Sequence, residues 1–584
     1  MNKSASDFEI RRRHTGSHVM TAAVKMIFPD IKRGVGPWTD KEFYQDFDFG
    51  EEKISESDLK KIEKKMRWIV NKDFSIEQKI CSIKEAKEHF EGDEYKQELI
   101  RGLEEKGEKI SIYAFADERD NVFYDDLCAG PHLESTGQLG VFKLTRLAGA
   151  YWRGNENNKM LTRIYGVAFK DKEELQKYEE MLAEAERRDH RKLGAELGLF
   201  AFSEKVGAGL PLFTPKGTFI RNKIADTIQE IQEQYGYEKV CIPHITKKDL
   251  YETSGHWQKF KEDLFHVKGK GDTEFVMKPM NCPHHTQIYA SQMRSYRDLP
   301  VRFSEVTTCY RDEQPGELLG LSRVRSLTQD DGHVFCRMDQ VKQEACNIVK
   351  VVREFYTKLG MFEEGKFWVS LSVRDPQEIE KYLGDPKNWE KAEKFLEEIA
   401  KEEKLHAKRI EGEAAFYGPK LDFMFQDALG REWQLATIQI DFVMPERFGL
   451  EYINEKGEKD RPIMIHRAIA GSLERFMSVI IEHFAGAFPS WLAPVQAHIL
   501  PVAGQHEKYA AQILQQIENV NGRAELHDAS ETLGKRIRNS QKQKIPFALI
   551  VGDKEVNDTT VTVRRYGEEK DQAMKMEEFL GLLK

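Results

Sequence analysis

The sequence predicts a multidomain α+β protein, with an antiparallel sheet in its long middle section and a small α/β domain at its end. Three observations carry that reading. The chain has 584 residues, too many for one hydrophobic core, and length alone suggests about four domains. The stretch RFSEVTTCYRDEQPGELLGLSRVRSLTQDDGHVFC, from Arg302 to Cys336, reads as strand, loop and antiparallel return. After Trp491, strand and helix patterns alternate, as in an α/β unit.

From residue 10 to about 170, short helical patterns alternate with strands such as Lys109–Phe115 and Val122–Tyr124. Asp171 to Lys192, DKEELQKYEEMLAEAERRDHRK, is densely charged with few breakers and reads as an exposed connecting helix. A long α+β section runs from Leu199 to near Pro489. The last part reads as strand Ala497–Pro501, helix Glu507–Ile517, strand Arg523–His527, helix Thr532–Gln543, strands Phe547–Val551 and Thr559–Arg564, and a final helix. Boundaries are therefore expected at 1–170, 171–195, 196–490 and 491–584.

Composition excludes several classes. No apolar run approaches the ~20 residues of a membrane helix, so no membrane partner is expected. The start, MNKSASDFEIRRRH, lacks the apolar segment of a signal peptide. Seven scattered cysteines, an odd number, argue against a disulfide framework and for a reducing, cytoplasmic setting. A net charge of −9 argues against a chain basic throughout, while leaving room for a local basic surface.

The chemistry concentrates in the 302–336 hairpin. Arg311 and Arg323 bracket its loop, and an arginine fork suits phosphate oxygens at any physiological pH. Glu313, two residues after Arg311, is expected on the same strand face. Taken alone, this is more often a solvated charged hairpin than a nucleotide site. The chain has no GxxxxGK[ST] loop, and Gly207-Ala208-Gly209 lacks the third glycine and the preceding strand of a dinucleotide fingerprint. Met464 to Phe476 then reads as a strand entering a helix that carries a third arginine, Arg475. Tyr237 to Pro243 ends an amphipathic helix with a short apolar run and a proline.

In this order, the three segments resemble motifs 1, 2 and 3 of class II aminoacyl-tRNA synthetases. The fuller match is to the threonyl-tRNA synthetase family: MKPMNCP at 277–283, SYRDLPVRFSE at 295–305, TQDDGHVFC at 328–336, AFYGPKLDF at 415–423 and IHRAIAGSLERF at 465–476. It runs from about residue 10 to the C-terminus. The HIGH and KMSKS signatures of class I are absent. The resemblance implies an antiparallel class II catalytic domain at 196–490, an α+β editing domain at 1–170, a helical connector at 171–195 and an α/β anticodon-binding domain at 491–584. It implies a threonine–tRNA ligase acting on L-threonine, ATP with Mg2+, and tRNA(Thr), and a homodimer joined through motif 1.

Carried over residue by residue, Arg311 would hold the α-phosphate of ATP, Glu313 the adenine amino group, and Arg323 and Arg475 the outer phosphates and the adenine face. Gln439 and Lys420 match further active-site positions. Cys282, His333 and His466 fall on the family's zinc ligands, one Zn2+ per subunit, although their spacing shows no metal motif. Three protein ligands leave zinc an open position. Gln329 and Asp331 would complete the contacts to threonine's hydroxyl and amino groups, with Tyr417 nearby. Valine, lacking the hydroxyl, would be rejected strongly; serine lacks only a methyl, worth about 1–3 kcal/mol, and would leak through.

That leak gives the N-terminal motifs a purpose. His14 and His18 form HxxxH, one face of a helix expected to continue through Val19 to Phe28. Cys128 and His132 form CxxxH across a Gly-Pro turn. From the residues alone the four are a tetrahedral zinc set. The resemblance points instead to hydrolysis of seryl-tRNA, with Asp126 fixing the aminoacyl end. At the other end, GKRIRNSQKQK and VTVRR are basic, and Arg564 is carried over as an anticodon contact.

Departures are specific. Leu327 stands where the family usually has an aromatic, His284 where it has glycine, and Ser530 where it has asparagine; the loop reads EQPGELLG where EPSGxLHG is commoner. Weaker nucleotide stacking at Leu327 is expected, not loss of activity. Many relatives begin with a small ubiquitin-like domain, and this chain starts almost at the editing region. Two rival readings are a metal-dependent hydrolase using only the N-terminal site, and a synthetase-like RNA-binding regulator without charging activity.

Overall fold

The computed structural model describes residues 7–39, 41–155 and 157–583. The chain divides into two compact units, Met1–Ala183 and Glu184–Lys584. In the first, helix α1 (Asp7–Lys25) is buried from Arg12 to Val24, because it lies among other elements and not on the surface. It ends short of the predicted Phe28, since Pro29 disfavours helical backbone in the residue before it. Strands β1 (Lys32–Arg33), β2 (Phe43–Asp48), β3 (Ser75–Cys81), β4 (Ile110–Ala116), β5 (Val122–Leu127), β6 (Val141–Tyr151) and β7 (Met160–Phe169) form two sheets, ordered β1-β2-β7-β6 and β3-β4-β5. Val19, Met20 and Ala23 of α1 share a core with Phe43, Phe47, Phe115 and Ile164. Gly16 sets the approach: a Cβ there would lie 2.8 Å from the Phe43 ring.

Helix α2 (Lys172–Arg188) buries none of its residues, as the charged run predicted, and the division between the units falls inside it. Asp171 Oδ1 accepts from the amides of Glu173 and Glu174, satisfying donors that a helix start leaves unpaired.

The second unit contains helix α3 (Pro215–Glu233), strand β8 (Glu238–Lys239), helix α4 (Cys282–Ala290), the hairpin β9 (Val301–Tyr310) and β10 (Ser326–Cys336), helix α5 (Val341–Lys358), strands β11 (Phe367–Val373), β12 (Ala407–Glu411), β13 (Lys420–Gln426), β14 (Glu432–Asp441) and β15 (Ile463–Ala468), and helix α6 (Leu473–His483). The eight strands make one largely antiparallel sheet, ordered β8-β9-β10-β15-β14-β13-β11-β12. Apolar residues of α3, α5 and α6 cover one face, among them Ile224, Val352, Phe355 and Phe476.

Farther along, β16 (Ala497–Pro501), helix α7 (Glu507–Asn519), β17 (Ala524–Leu526), helix α8 (Leu533–Lys542), β18 (Phe547–Val551), β19 (Thr560–Arg565) and β20 (Gln572–Lys575) build a five-stranded sheet ordered β17-β16-β18-β19-β20. Ile499, Leu549 and Val563 pack with Ile513 and Ile517 of α7. The sequence reading lacked β20 and the short helix Asp553–Asp558, which are too brief for a periodic signal. All seven cysteines are unpaired, and among the described residues no helix is long and apolar enough to cross a membrane.

One buried ion pair fixes the centre of the large sheet. Arg467 on β15 reaches Asp330 on β10 at 2.6 Å, with both side chains almost wholly buried. The other Asp330 oxygen accepts from the amides of Ile469 (2.8 Å) and Ala470 (3.1 Å). Gly332 makes the room, because a Cβ there would stand 2.5 Å from the guanidinium. Removing one partner of such a pair strands a buried charge, at about 3–5 kcal/mol. Asp330→Ala should therefore lower the opening free energy of this sheet by about 3–5 kcal/mol, read from hydrogen exchange in peptides covering β10 and β15.

Candidate functional site

Strand register places the predicted residues on one face of the large sheet. Lys420 pairs with Gln439, Gln439 with His466, and His466 with His333, a row across β13, β14, β15 and β10. Along β10, Gln329, Asp331 and His333 alternate with Asp330 and Gly332, so the first three share that face. Cys282 opens α4. One donor atom from each of Cys282, His333 and His466 lies within 4.8 Å of the others.

The donor set, one sulfur and two imidazoles, suits zinc. His333 Nε2 is 3.1 Å from His466 Nδ1. Burial holds the His333 imidazole well below its ordinary pKa, so it stays neutral, the form that ligates a metal. Burial, with the Asp331 and Asp441 carboxylates nearby, pushes the Cys282 thiol well above its usual range, which a bound cation would offset. The remaining ring nitrogens are braced: His466 Nε2 against Asp441 Oδ2 (2.8 Å) and His333 Nδ1 against His285 Nδ1 (2.7 Å). His285 in turn faces Glu305 at 3.4 Å. Sequence reasoning missed His285, Glu305 and Asp441; the doubled histidine in NCPHH was the one local signal for His285.

Tyr417 stacks at a tilt over His466, with ring centroids 5.3 Å apart. Gln439 Nε2 donates to the Gly418 carbonyl (3.1 Å), and Lys420 Nζ pairs with Asp422 (2.7 Å). Asn281 Nδ2 donates to Asp331 Oδ2 (3.0 Å), while burial raises the Asp331 pKa. His256, also missed, is buried beside Tyr417, and burial pushes its pKa down to about 4.

Beside this row lies a cleft of about 250 Å3 whose lining includes Arg311, Glu313, Arg323, Leu327, Gln329 and Arg475. The expectation that Arg311 and Glu313 share a strand face is not met. β9 ends at Tyr310, and both residues lie on the loop, which turns through a 3-10 segment at Pro315–Glu317. Glu313 reaches the cleft by pairing with Arg323 (2.7 Å), which also holds Glu317 (2.9 Å). Arg475 donates to the Ser322 carbonyl (3.2 Å). Desolvation and the like charges of Arg311 and Arg323 lower the Arg475 pKa. Three cations crowded in this way attract an anion.

In the first unit, His14, His18, Cys128 and His132 each bring one donor atom within 4.8 Å of the others. Cys128 Sγ is 3.2 Å from both His14 Nε2 and His132 Nε2. Pro131 O receives His14 Nδ1 at 3.0 Å, and Thr15 Oγ1 meets His132 Nδ1 at 3.2 Å. Gly130 shapes the loop: its φ is +78°, and a Cβ would sit 2.3 Å from the Tyr113 hydroxyl. Burial keeps the imidazoles neutral, His14 pushed down to about 4, and raises the Cys128 thiol to about 11. Asp126 is held by Lys96 (2.8 Å), Arg33 (3.4 Å) and the Tyr124 hydroxyl (3.0 Å). In the C-terminal sheet, Arg564 makes a two-point pair with Asp571 at 2.5 and 2.7 Å.

Residues 265–484 match the tRNA synthetase class II core domain (G, H, P, S and T), residues 496–584 the anticodon binding domain, and residues 110–165 the threonyl and alanyl tRNA synthetase second additional domain. The threonine–tRNA ligase of Flavobacterium johnsoniae is 46% identical over 575 residues, 98% of this chain and 87% of that protein. That of Geobacillus kaustophilus is 47% identical over 574 residues, 98% and 86% respectively. Among solved structures, the RNA binding domain of threonyl-tRNA synthetase from Cryptosporidium parvum Iowa II superposes with a TM-score of 0.63 at 34% identity, covering 68% of this chain and 97% of that one. Identity at this level across nearly the whole length, together with the three matched domains, leads to one conclusion: the chain belongs to the threonine–tRNA ligase family of class II aminoacyl-tRNA synthetases.

Proposed function

We propose that the arginine cleft and the Cys282–His333–His466 cluster form the synthetic site of a threonine–tRNA ligase, and that the histidine–cysteine cluster of the first unit clears its serine errors. The observation that carries this reading is the convergence of three donors, distant in sequence, on the sheet face that also presents Gln329 to the arginine cleft. The domain assignments follow: editing at 1–170, a connector at 171–195, catalysis at 196–490 and anticodon binding at 491–584. The expected setting is cytoplasmic, as a homodimer joined through the Tyr237–Pro243 segment.

ATP enters as its magnesium complex. Arg311 holds the α-phosphate, where charge builds as the threonine carboxylate attacks, and Arg323 and Arg475 hold the outer phosphates that leave as pyrophosphate. Glu313 accepts from the adenine amino group, and Leu327 packs on the base. Asp331 accepts from the threonine ammonium, Gln329 meets its hydroxyl, and Lys420, Gln439 and Tyr417 border the pocket. Cys282, His333 and His466 would hold a zinc ion, which would supply Lewis acidity toward the amino and hydroxyl groups of threonine. Asp441 and His285 keep the two imidazoles aimed. The terminal ribose of tRNA(Thr) then takes the threonyl group, with Arg564 on the anticodon side.

Serine differs by one methyl, too little for binding alone to exclude. His14, His18, Cys128 and His132 would position water against the seryl ester, and Asp126 would fix the aminoacyl end. Neutral imidazoles can take a proton from that water, which protonated ones cannot. Against the hydrolase rival stands the arginine cleft. Against the regulator rival stands the survival of every motif arginine and metal donor.

Arg311→Ala should lower kcat for threonine-dependent ATP–pyrophosphate exchange by about 10²–10³. An unchanged rate would remove Arg311 from the chemistry. Cys282→Ala should lose one bound zinc per chain by elemental analysis and abolish the same exchange; exchange that survives without that zinc rules out the metal's role. His14→Ala should leave threonine charging intact and let seryl-tRNA(Thr) accumulate. If hydrolysis persists while the first unit loses zinc and unfolds, the four donors are a structural metal site instead.

A further inference from the structure

A third donor cluster lies in the C-terminal sheet, outside both sites. His498 on β16 pairs in register with Glu525 on the neighbouring parallel strand β17, so their side chains share a face. His527, two residues beyond Glu525, falls on that face too. One donor atom from each of the three lies within 4.8 Å of the others. The next strand offers the small Ala548 opposite His498.

His498 is held from α8: Ser540 Oγ lies 2.8 Å from its Nδ1 and 3.2 Å from the Arg536 carbonyl. With the proton on Nδ1 and donated to that hydroxyl, Nε2 presents its lone pair. That Nε2 is buried and makes no hydrogen bond, and the same is true of His527 Nε2. Glu525 Oε2 stands 3.3 Å from His498 Nε2. Two unpartnered imidazole nitrogens and a carboxylate converging on one point describe a cation site.

The other compact acid–histidine group of the second unit shows the contrast. In Asp189, His190 and Glu482, both ring nitrogens are engaged, by Glu482 (2.7 Å) and the Leu321 amide (3.1 Å), and Glu482 also holds Arg431. It is a closed network with nothing left to bind.

We propose that His498, Glu525 and His527 bind a divalent transition-metal ion, zinc being the best fit to two imidazoles and one carboxylate. Ser540 orients the first ligand from α8, in the manner of an outer-shell partner. The ion ties the short edge strand β17 to β16 and, through Ser540, to the basic helix α8. Magnesium, which prefers oxygen ligands, does not substitute.

Hydrogen exchange by mass spectrometry on the full-length, metal-stripped chain tests this, with Zn2+ alone as the probe. At free zinc about 100-fold above the midpoint of the effect, local opening becomes about 100-fold rarer. Peptides covering 496–501 and 523–528 should therefore exchange about 100-fold more slowly, with no change on adding Mg2+. E525Q and H527Q, both at solvent-accessible positions, should abolish the slowing there while peptides around Cys282 still respond to zinc. Absence of slowing in the unsubstituted chain, or its survival in either variant, overturns the proposal.

Discussion

The Arg467–Asp330 pair sets the register on which everything at the catalytic face depends. It ties β15 to β10 from the face opposite the donors. Strand side chains alternate, so slipping the pairing by one residue would turn His333 and His466 to opposite sides and scatter the three donors. Both charges are buried, and the alternative to this pairing is an unpaired charge in a dry interior. Gly332 completes the constraint by giving up its own side-chain volume to the guanidinium. The metal donors on one face and the salt link on the other are thus two sides of the same two strands.

The two chemistries of the chain are built from different materials. The proposed synthetic site stands on long strands whose register fixes distances, and its cleft gathers the positive charge that a substrate with several phosphates would need. The cluster in the first unit stands on a buried helix and a tight turn, with neutral rings and a thiol kept protonated by burial. A ligase must stabilise developing negative charge, whereas an esterase must hold water next to a neutral ester. The electrostatics of each site match that difference.

Much of this was legible in the sequence. The 302–336 hairpin, the helix under His14 and His18, the exposed connector and the alternating C-terminal part follow from periodicity and charge. The convergence of Cys282, His333 and His466 was not, because the tertiary fold alone joins them, and no local pattern encodes which strands and helices become neighbours. Their assignment came from resemblance. Glu313 was misplaced because the strand stops at Tyr310, and an ion pair, not a shared strand face, brings it to Arg323. Asp330 sits in plain view within QDDGH, yet only alternation separates it from Asp331: one carboxylate lies on the face of His333, the other braces the sheet.

The Glu313–Arg323–Glu317 arrangement has a bearing on how nucleotide is held. Arg323 already has anionic company. In the proposed synthetic site an arriving phosphate would trade places with a carboxylate instead of meeting a naked cation, so affinity would reflect the difference between two similar attractions. The displaced carboxylates would return as pyrophosphate departs, and the same exchange run backwards would help reset the cleft for another turnover.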